Sequence, residues 1–235
     1  MRNGGRSLDI VHCIINSVSA HLAASALLAY GASPVMADAA EEMREIEEKS
    51  DALYINLGML HEDKKEAIRI ALETAHGHHP VVLDPVGVAM SAYRLEFAKE
   101  ILGRVDFVRG NASEIAALVT GNRAGAIDSA KMRHEEKKKL AEAFRARYTD
   151  VALTGETDIL VTDTVREVVG GSAYFAKMTG AGCVLSALVA AELARGGDSL
   201  SALTKMKRAG AIAEKRANGA GSFVVHLIDA LEEIA

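Results

Sequence analysis

The segment Lys177-Met178-Thr179-Gly180-Ala181-Gly182-Cys183, leading into the largely apolar run Val184 to Leu193, carries the densest chemistry in this sequence. Glycines at a helix start let the backbone approach a ligand closely, and the first free N–H groups of the helix then favour a phosphate or a developing anion. Gly180, Ala181, Gly182 and Cys183 are therefore candidates for an anion hole. A cysteine beside those amides feels the same positive potential, which is expected to lower its pKa and make it an acid/base or nucleophilic group. A flexible turn into a helix, with Cys183 as a small core residue, produces the same residues without chemistry.

The polar ends of several apolar runs supply the partners. Ala52 to Leu57, Pro80 to Asp84, Val105 to Arg109 and Asp150 to Thr154 read as buried strands. Amphipathic stretches near His61 to His76, Ala92 to Leu102, Asn111 to Thr120 and Glu135 to Tyr148 read as helices. This alternation predicts an α/β fold, a mostly parallel sheet covered by helices on both faces. Ligands bind beyond the carboxyl ends of strands in such sheets. Those ends read Asn56-Leu57-Gly58, Asp84-Pro85-Val86-Gly87, Arg109-Gly110-Asn111 and Thr154-Gly155-Glu156, each a polar group followed by glycine. Asp84, Glu114 and Arg109 together suit a Mg²⁺–phosphate site, since Mg²⁺ is usually held by one or two carboxylates plus phosphates and water. Asn111 with Glu114 three residues on also matches a capping box, which needs no catalysis, and both roles can share one motif.

Ile159 to Asp163 and Arg166 to Val169 suggest an edge hairpin, and the chain from about Gly180 onward reads as helices broken at Asn218 to Gly221. No linker or repeat divides the chain, so residues 1–235 are expected to form a single domain, with Gly121 to His134 as a surface loop. His76, His78 and His79 are expected to be solvated, and Glu135 to Lys139 reads as an exposed helix face. Met36, placed after the Pro34 turn, is open to a ligand-contact role.

Composition excludes several classes. A net charge of -5 gives no basic footprint for nucleic acid, and the absence of Trp removes one base-stacking platform. Cys13 and Cys183 form neither a CxxC pair nor a metal-ligand spacing. Free thiols and a polar start without a secretory apolar run point to the cytoplasm, and no apolar run is long enough to span a bilayer.

Together these motifs resemble the hydroxyethylthiazole kinases, members of the ribokinase-like superfamily. The resemblance rests on Gly31-Ala-Ser-Pro-Val-Met-Ala37, Asp84-Pro-Val-Gly87, Arg109-Gly-Asn-Ala-Ser-Glu-Ile115, Thr154-Gly155, Thr179-Gly-Ala-Gly-Cys-Val-Leu-Ser186 and Gly219-Ala-Gly-Ser-Phe223, in family order. Cys183 is the most discriminating residue, because most ribokinase-like enzymes carry aspartate there. The resemblance implies ATP-dependent phosphorylation of the primary alcohol of 4-methyl-5-(2-hydroxyethyl)thiazole, in thiamine biosynthesis or salvage. It further implies that Arg109 and Thr154 contact ATP, that Asn16, Val18, Met36 and Gly180 lie on the thiazole side, and that Asp84 and Glu114 organise Mg²⁺. Cys183 would assist the chemistry. A homotrimer with thiazole sites between subunits is implied as well.

Departures from the family pattern fall at Ile15, Ser17, His21 and Ser25 and in the loop Val88-Ala89-Met90-Ser91, which is bulkier than usual near the expected phosphates. Ala220 stands where the family has proline. The N-terminal changes leave open a ribokinase-like kinase of another small alcohol. The fold also admits an ATP-dependent dehydratase of hydrated nicotinamide cofactors, and a binding protein without turnover.

Overall fold

The computed structural model describes residues 9–122 and 132–235. The chain opens with β1 (Ile10–Ile14), α1 (Ser17–Ala29), β2 (Ser33–Met36) and the short α2 (Met43–Glu47). Then β3 (Ala52–Asn56), α3 (Glu62–Ala75), β4 (Val81–Asp84), α4 (Ala92–Ile101), β5 (Phe107–Asn111) and α5 (Ala112–Thr120) alternate. They are followed by α6 (His134–Arg147), β6 (Asp150–Thr154), the hairpin β7 (Asp158–Val161) and β8 (Val165–Val168), and three helices, α7 (Ala181–Ala194), α8 (Ser199–Arg216) and α9 (Ala220–Ile234).

The strands form one eight-stranded sheet in the order β2-β1-β3-β4-β5-β6-β7-β8. Its first six members run parallel, and the expected hairpin adds β7 and β8 antiparallel at one edge. Parallel pairs need crossovers, and the helices that make them cover both faces. Strand alternation divides the core accordingly. Ala52 and Tyr54 of β3 face the layer containing α1, α7, α8 and α9, while Leu53 and Ile55 face that of α3 to α6.

The opening β1-α1-β2 unit lacks a clear periodic signal. β1 buries His12 and Cys13 among its aliphatic residues, and α1 is rich in alanine and serine on all sides. Pro34 lies inside β2 rather than in a turn, which corrects the expected setting of Met36. Edge position explains it, since the missing N–H interrupts no second ladder. β5 begins two residues later than expected and ends on Asn111, which also caps α5. Of the expected surface loop from Gly121 to His134, residues 123–131 lie outside the described residues.

α7 positions the site. Its residues from Cys183 to Glu192 are all buried, as expected of a helix apolar around its circumference. It crosses the sheet with its N-terminus at the carboxyl ends of the strands, next to Asn56 and Arg109. No helix among the described residues is long and apolar enough to cross a membrane.

Candidate active site

Five parallel strands or the turns just beyond them deliver Asn16, Asn56, Asp84, Arg109 and Thr154 to one rim, where the N-terminus of α7 meets them. The N-cap, Gly180, has φ +87°, a left-handed conformation that favours glycine. The first N–H groups of α7, from Ala181 onward, have no intrahelical acceptor and face this rim. A Cβ on Gly182 would lie 2.1 Å from Arg109 Nη1, so only glycine lets the guanidinium rest against the helix start.

Arg109 links the two sides of the rim. Its Nη1 stands 3.4 Å from Asp84 Oδ2, and its Nη2 donates to Thr154 Oγ1 at 2.7 Å. Its Nε is buried without a hydrogen-bond partner among the described residues. Asp84, fully buried, also accepts from Ser186 Oγ at 3.2 Å and Tyr54 Oη at 3.4 Å. Burial pushes the Asp84 carboxyl above its usual range, against the opposing pull of Arg109.

Glu114 completes the capping box on Asn111. Its Oε2 accepts from the Asn111 N–H at 2.9 Å, and its Oε1 accepts from the Gly87 N–H at 3.1 Å. The same carboxylate thus ties α5 to the turn after Asp84. Burial and then the nearby Asp84 charge raise its pKa. Two buried carboxylates that repel each other's charge fit a divalent cation, whose binding relieves both penalties. Among the described residues no group of three metal-ligating side chains exists. Mg²⁺ held by two carboxylates, water and phosphate oxygens is compatible with that donor set. In the bulkier loop after Gly87, Val88 and Ala89 are buried in the core and Met90 is exposed.

Cys183 corrects the expectation of an activated thiol. It is only 8% exposed, and burial followed by the Asp84 charge raises its pKa. Ser19, Arg109 and Asn56 pull the other way without reversing the shift. Desolvation of a thiolate outweighs the helix potential here. The thiol accepts from Asn56 Nδ2 at 3.3 Å and Asn16 Nδ2 at 3.9 Å. Asn56 is fixed in that orientation, because its Oδ1 accepts from the Gly58 N–H and from Asn16 Nδ2, both at 2.9 Å.

Behind Gly58 lies Lys64, 2% exposed, whose Nζ donates to Gly58 O at 3.1 Å. Burial lowers its pKa to about 8, partly offset by Asp38. A cavity of about 910 Å³ opens beside the rim, lined by Arg109, Thr154, Gly155, Asp158, Phe175, Gly180, Ala181, Gly182, Met206 and Lys207. Lys207 Nζ holds its floor through Gly155 O at 3.0 Å and Asp158 Oδ1 at 3.2 Å.

Asn16, Asp84, Arg109, Glu114, Thr154 and Gly180 to Cys183 are therefore brought together as expected. Val18 and Met36 are not part of the cavity lining, and they are 68% and 38% exposed. Lys64 and Lys207 had no sequence signal, being lysines inside helices like many others. Asn56 was visible only as a strand end. His76 and His78 are exposed as expected, but His79 Nε2 pairs with the buried Glu47 at 2.6 Å, and Glu47 also binds the buried His12.

Residues 6–235 match the model of the hydroxyethylthiazole kinase family. A hydroxyethylthiazole kinase of Roseobacter denitrificans is 42% identical over 233 residues, covering 94% of this chain and 89% of the relative. The solved structure of hydroxyethylthiazole kinase from Pyrococcus horikoshii superposes with a TM-score of 0.83 at 37% identity, covering 96% of this chain and 88% of that one. Pyridoxal kinase from Staphylococcus aureus shares the ribokinase-like fold alone, with a TM-score of 0.64 at 19% identity and 88% of both chains covered. On sequence match, coverage and superposition together, the chain belongs to the hydroxyethylthiazole kinase family.

Proposed function

We propose that this chain is a single kinase domain that transfers the γ-phosphoryl group of ATP to the primary alcohol of 4-methyl-5-(2-hydroxyethyl)thiazole, giving thiazole phosphate and ADP for thiamine synthesis. The observation that carries the reading is the α7 N-terminus packed against Arg109, with Asp84 and Thr154 on the same guanidinium. Phosphoryl transfer is mainly positioning and electrostatic stabilisation, which such a rim supplies.

In this reading the cavity beside Arg109, Thr154 and Gly155 receives the nucleotide, and Arg109 offsets charge on its phosphates. The amides from Ala181 to Cys183 stabilise the transferring group, whose charge spreads over its equatorial oxygens. Asp84 and Glu114 hold Mg²⁺, which when bound neutralises phosphate charge. The thiazole lies on the opposite side of Gly180, towards Asn16. Cys183 sits there as a largely neutral thiol, so only its minor thiolate form can take the alcohol proton, which otherwise leaves late to water, and the residue assists without being indispensable. A loose transition state generates little demand for an early base.

The exposed Val18, Met36 and Met59 support a homotrimer in which a neighbouring subunit closes the thiazole side. The test is ADP release with hydroxyethylthiazole, Mg²⁺ and ATP, with the product identified by mass. Thiazole phosphate is the expected product. ATP binding without it would move the acceptor to another small alcohol, and sedimentation that finds only monomers would remove the shared site.

A further inference from the structure

Ser19 lies in the first turn of α1, where its N–H donates to the capping Asn16 Oδ1 at 3.1 Å. Its side chain is turned inward and the residue is 2% exposed. The Oγ is close enough to Cys183 to favour the thiolate, yet it has no hydrogen-bond partner of acceptable geometry among the described residues. A Cβ placed on Gly180 would lie 3.0 Å from Ser19 Cβ, so the serine is packed directly against the N-cap of α7.

A buried hydroxyl without a partner is unfavourable, and such groups are rare enough in folded proteins to need a cause. The cause cannot be local capping, because Asn16 already serves the backbone here and its amide is committed to Asn56 and Cys183. Nor is the hydroxyl needed to fill space, which an alanine methyl would do nearly as well. Its setting is a junction between two helix N-termini, those of α1 and α7, where positive potential accumulates and an anionic oxygen is the natural acceptor.

We propose that Ser19 is a further catalytic residue, whose hydroxyl donates a hydrogen bond to a non-bridging oxygen of the phosphoryl group in transfer at the α7 N-terminus. The serine keeps its proton throughout. The new bond joins the acceptor alcohol oxygen to the γ-phosphorus. The β–γ phosphoanhydride bond breaks and leaves its electron pair on the ADP oxygen, and the alcohol proton leaves late to the thiolate form of Cys183 or to water. The inference rests on the phosphoryl-transfer reading above, but it does not depend on which alcohol accepts the group.

The test is Ser19→Ala, measured in steady-state kinetics and in thermal unfolding with Mg²⁺–ADP in the presence and absence of aluminium fluoride, a mimic of the transferring phosphoryl group. The expected result is a fall in kcat of about a hundredfold to a thousandfold, as for loss of one preorganised donor at an oxyanion. KM for ATP and for the alcohol should change less than about twofold, because the contact strengthens only in the transition state. The unliganded Tm should hold or rise, and the extra stabilisation given by aluminium fluoride should fall by half or more. A kcat within about twofold of wild type with an unchanged aluminium fluoride increment overturns the proposal. So does a lowered unliganded Tm, which would make the hydroxyl structural. If the wild-type protein phosphorylates no hydroxyethylthiazole, the choice of acceptor is wrong, and the aluminium fluoride increment still decides the role of Ser19.

Discussion

Lys64→Met should make this protein more stable at neutral pH. The ammonium is buried, and its fall from 10.5 to about 8 corresponds to about 3 kcal/mol of charge-burial cost. Methionine keeps a flexible stem of similar length but leaves Gly58 O without the donor it has now, a loss of about 1 kcal/mol. The difference is a net gain of about 2 kcal/mol, or about 4 to 8 °C in Tm for a chain of this length. Because the folded-state pKa lies below the unfolded value, the unfolded chain binds more protons between about pH 8 and 10.5. Wild-type stability therefore gains from Lys64 as pH rises through that window, and the penalty is fully present below it. Urea unfolding of both proteins at pH 7 and pH 10 separates this effect from other titrations, since only the wild type carries Lys64. The advantage of the variant should shrink at the higher pH. A variant less stable than wild type at pH 7, or an advantage equal at both pH values, refutes the assignment of a penalising buried charge.

Other outcomes follow from the same geometry. Cys183→Ser should lower kcat by about one to two orders of magnitude, less than the loss of an obligatory base, and complete inactivity of both Cys183→Ser and Cys183→Asp with intact folding would make the thiol essential. Gly182→Ala should displace the Arg109 guanidinium from Asp84 and Thr154 and raise KM for ATP about tenfold while the fold survives, read by steady-state kinetics and circular dichroism. Glu47→Gln should cost about 3 kcal/mol or more in urea unfolding, because it breaks a buried pair with His12 and His79. Burial pushes Glu47 up, but those hydrogen bonds hold it below the usual carboxylate range, so its stabilisation is present above about pH 4.5 and is lost as pH falls through the folded value. Asp84 and Glu114 are shifted the opposite way, so Mg²⁺ with ADP should raise Tm less as pH drops through a range above the ordinary carboxylate one, and Glu114→Gln should flatten that dependence.

Much of the architecture was legible in the sequence. β3, β4 and β6 are largely buried and read as short apolar runs, too short for helices and closed by polar residues and turns. Asp84, Arg109 and Thr154 end or nearly end such runs, so their placement at one rim follows from strand direction alone. The β1-α1-β2 unit was hidden because burying a histidine in β1 and spreading alanine around α1 erases the periodicity that marks an element.

What the sequence determined by itself is the chemistry available and the strand ends that carry it. Residue types are fixed locally, and a glycine-rich helix start beside Cys183 reads the same in any fold. Tertiary structure alone decided how those groups behave. Whether the Cys183 thiol ionises depends on how much water it loses and on the charge of Asp84, a residue 99 positions away in the chain (183 minus 84). The orphan hydroxyl of Ser19, the buried ammonium of Lys64 and the pairing of His79 with Glu47 have the same origin. Desolvation and hydrogen-bond direction are properties of a surrounding volume, and only the folded chain creates that volume.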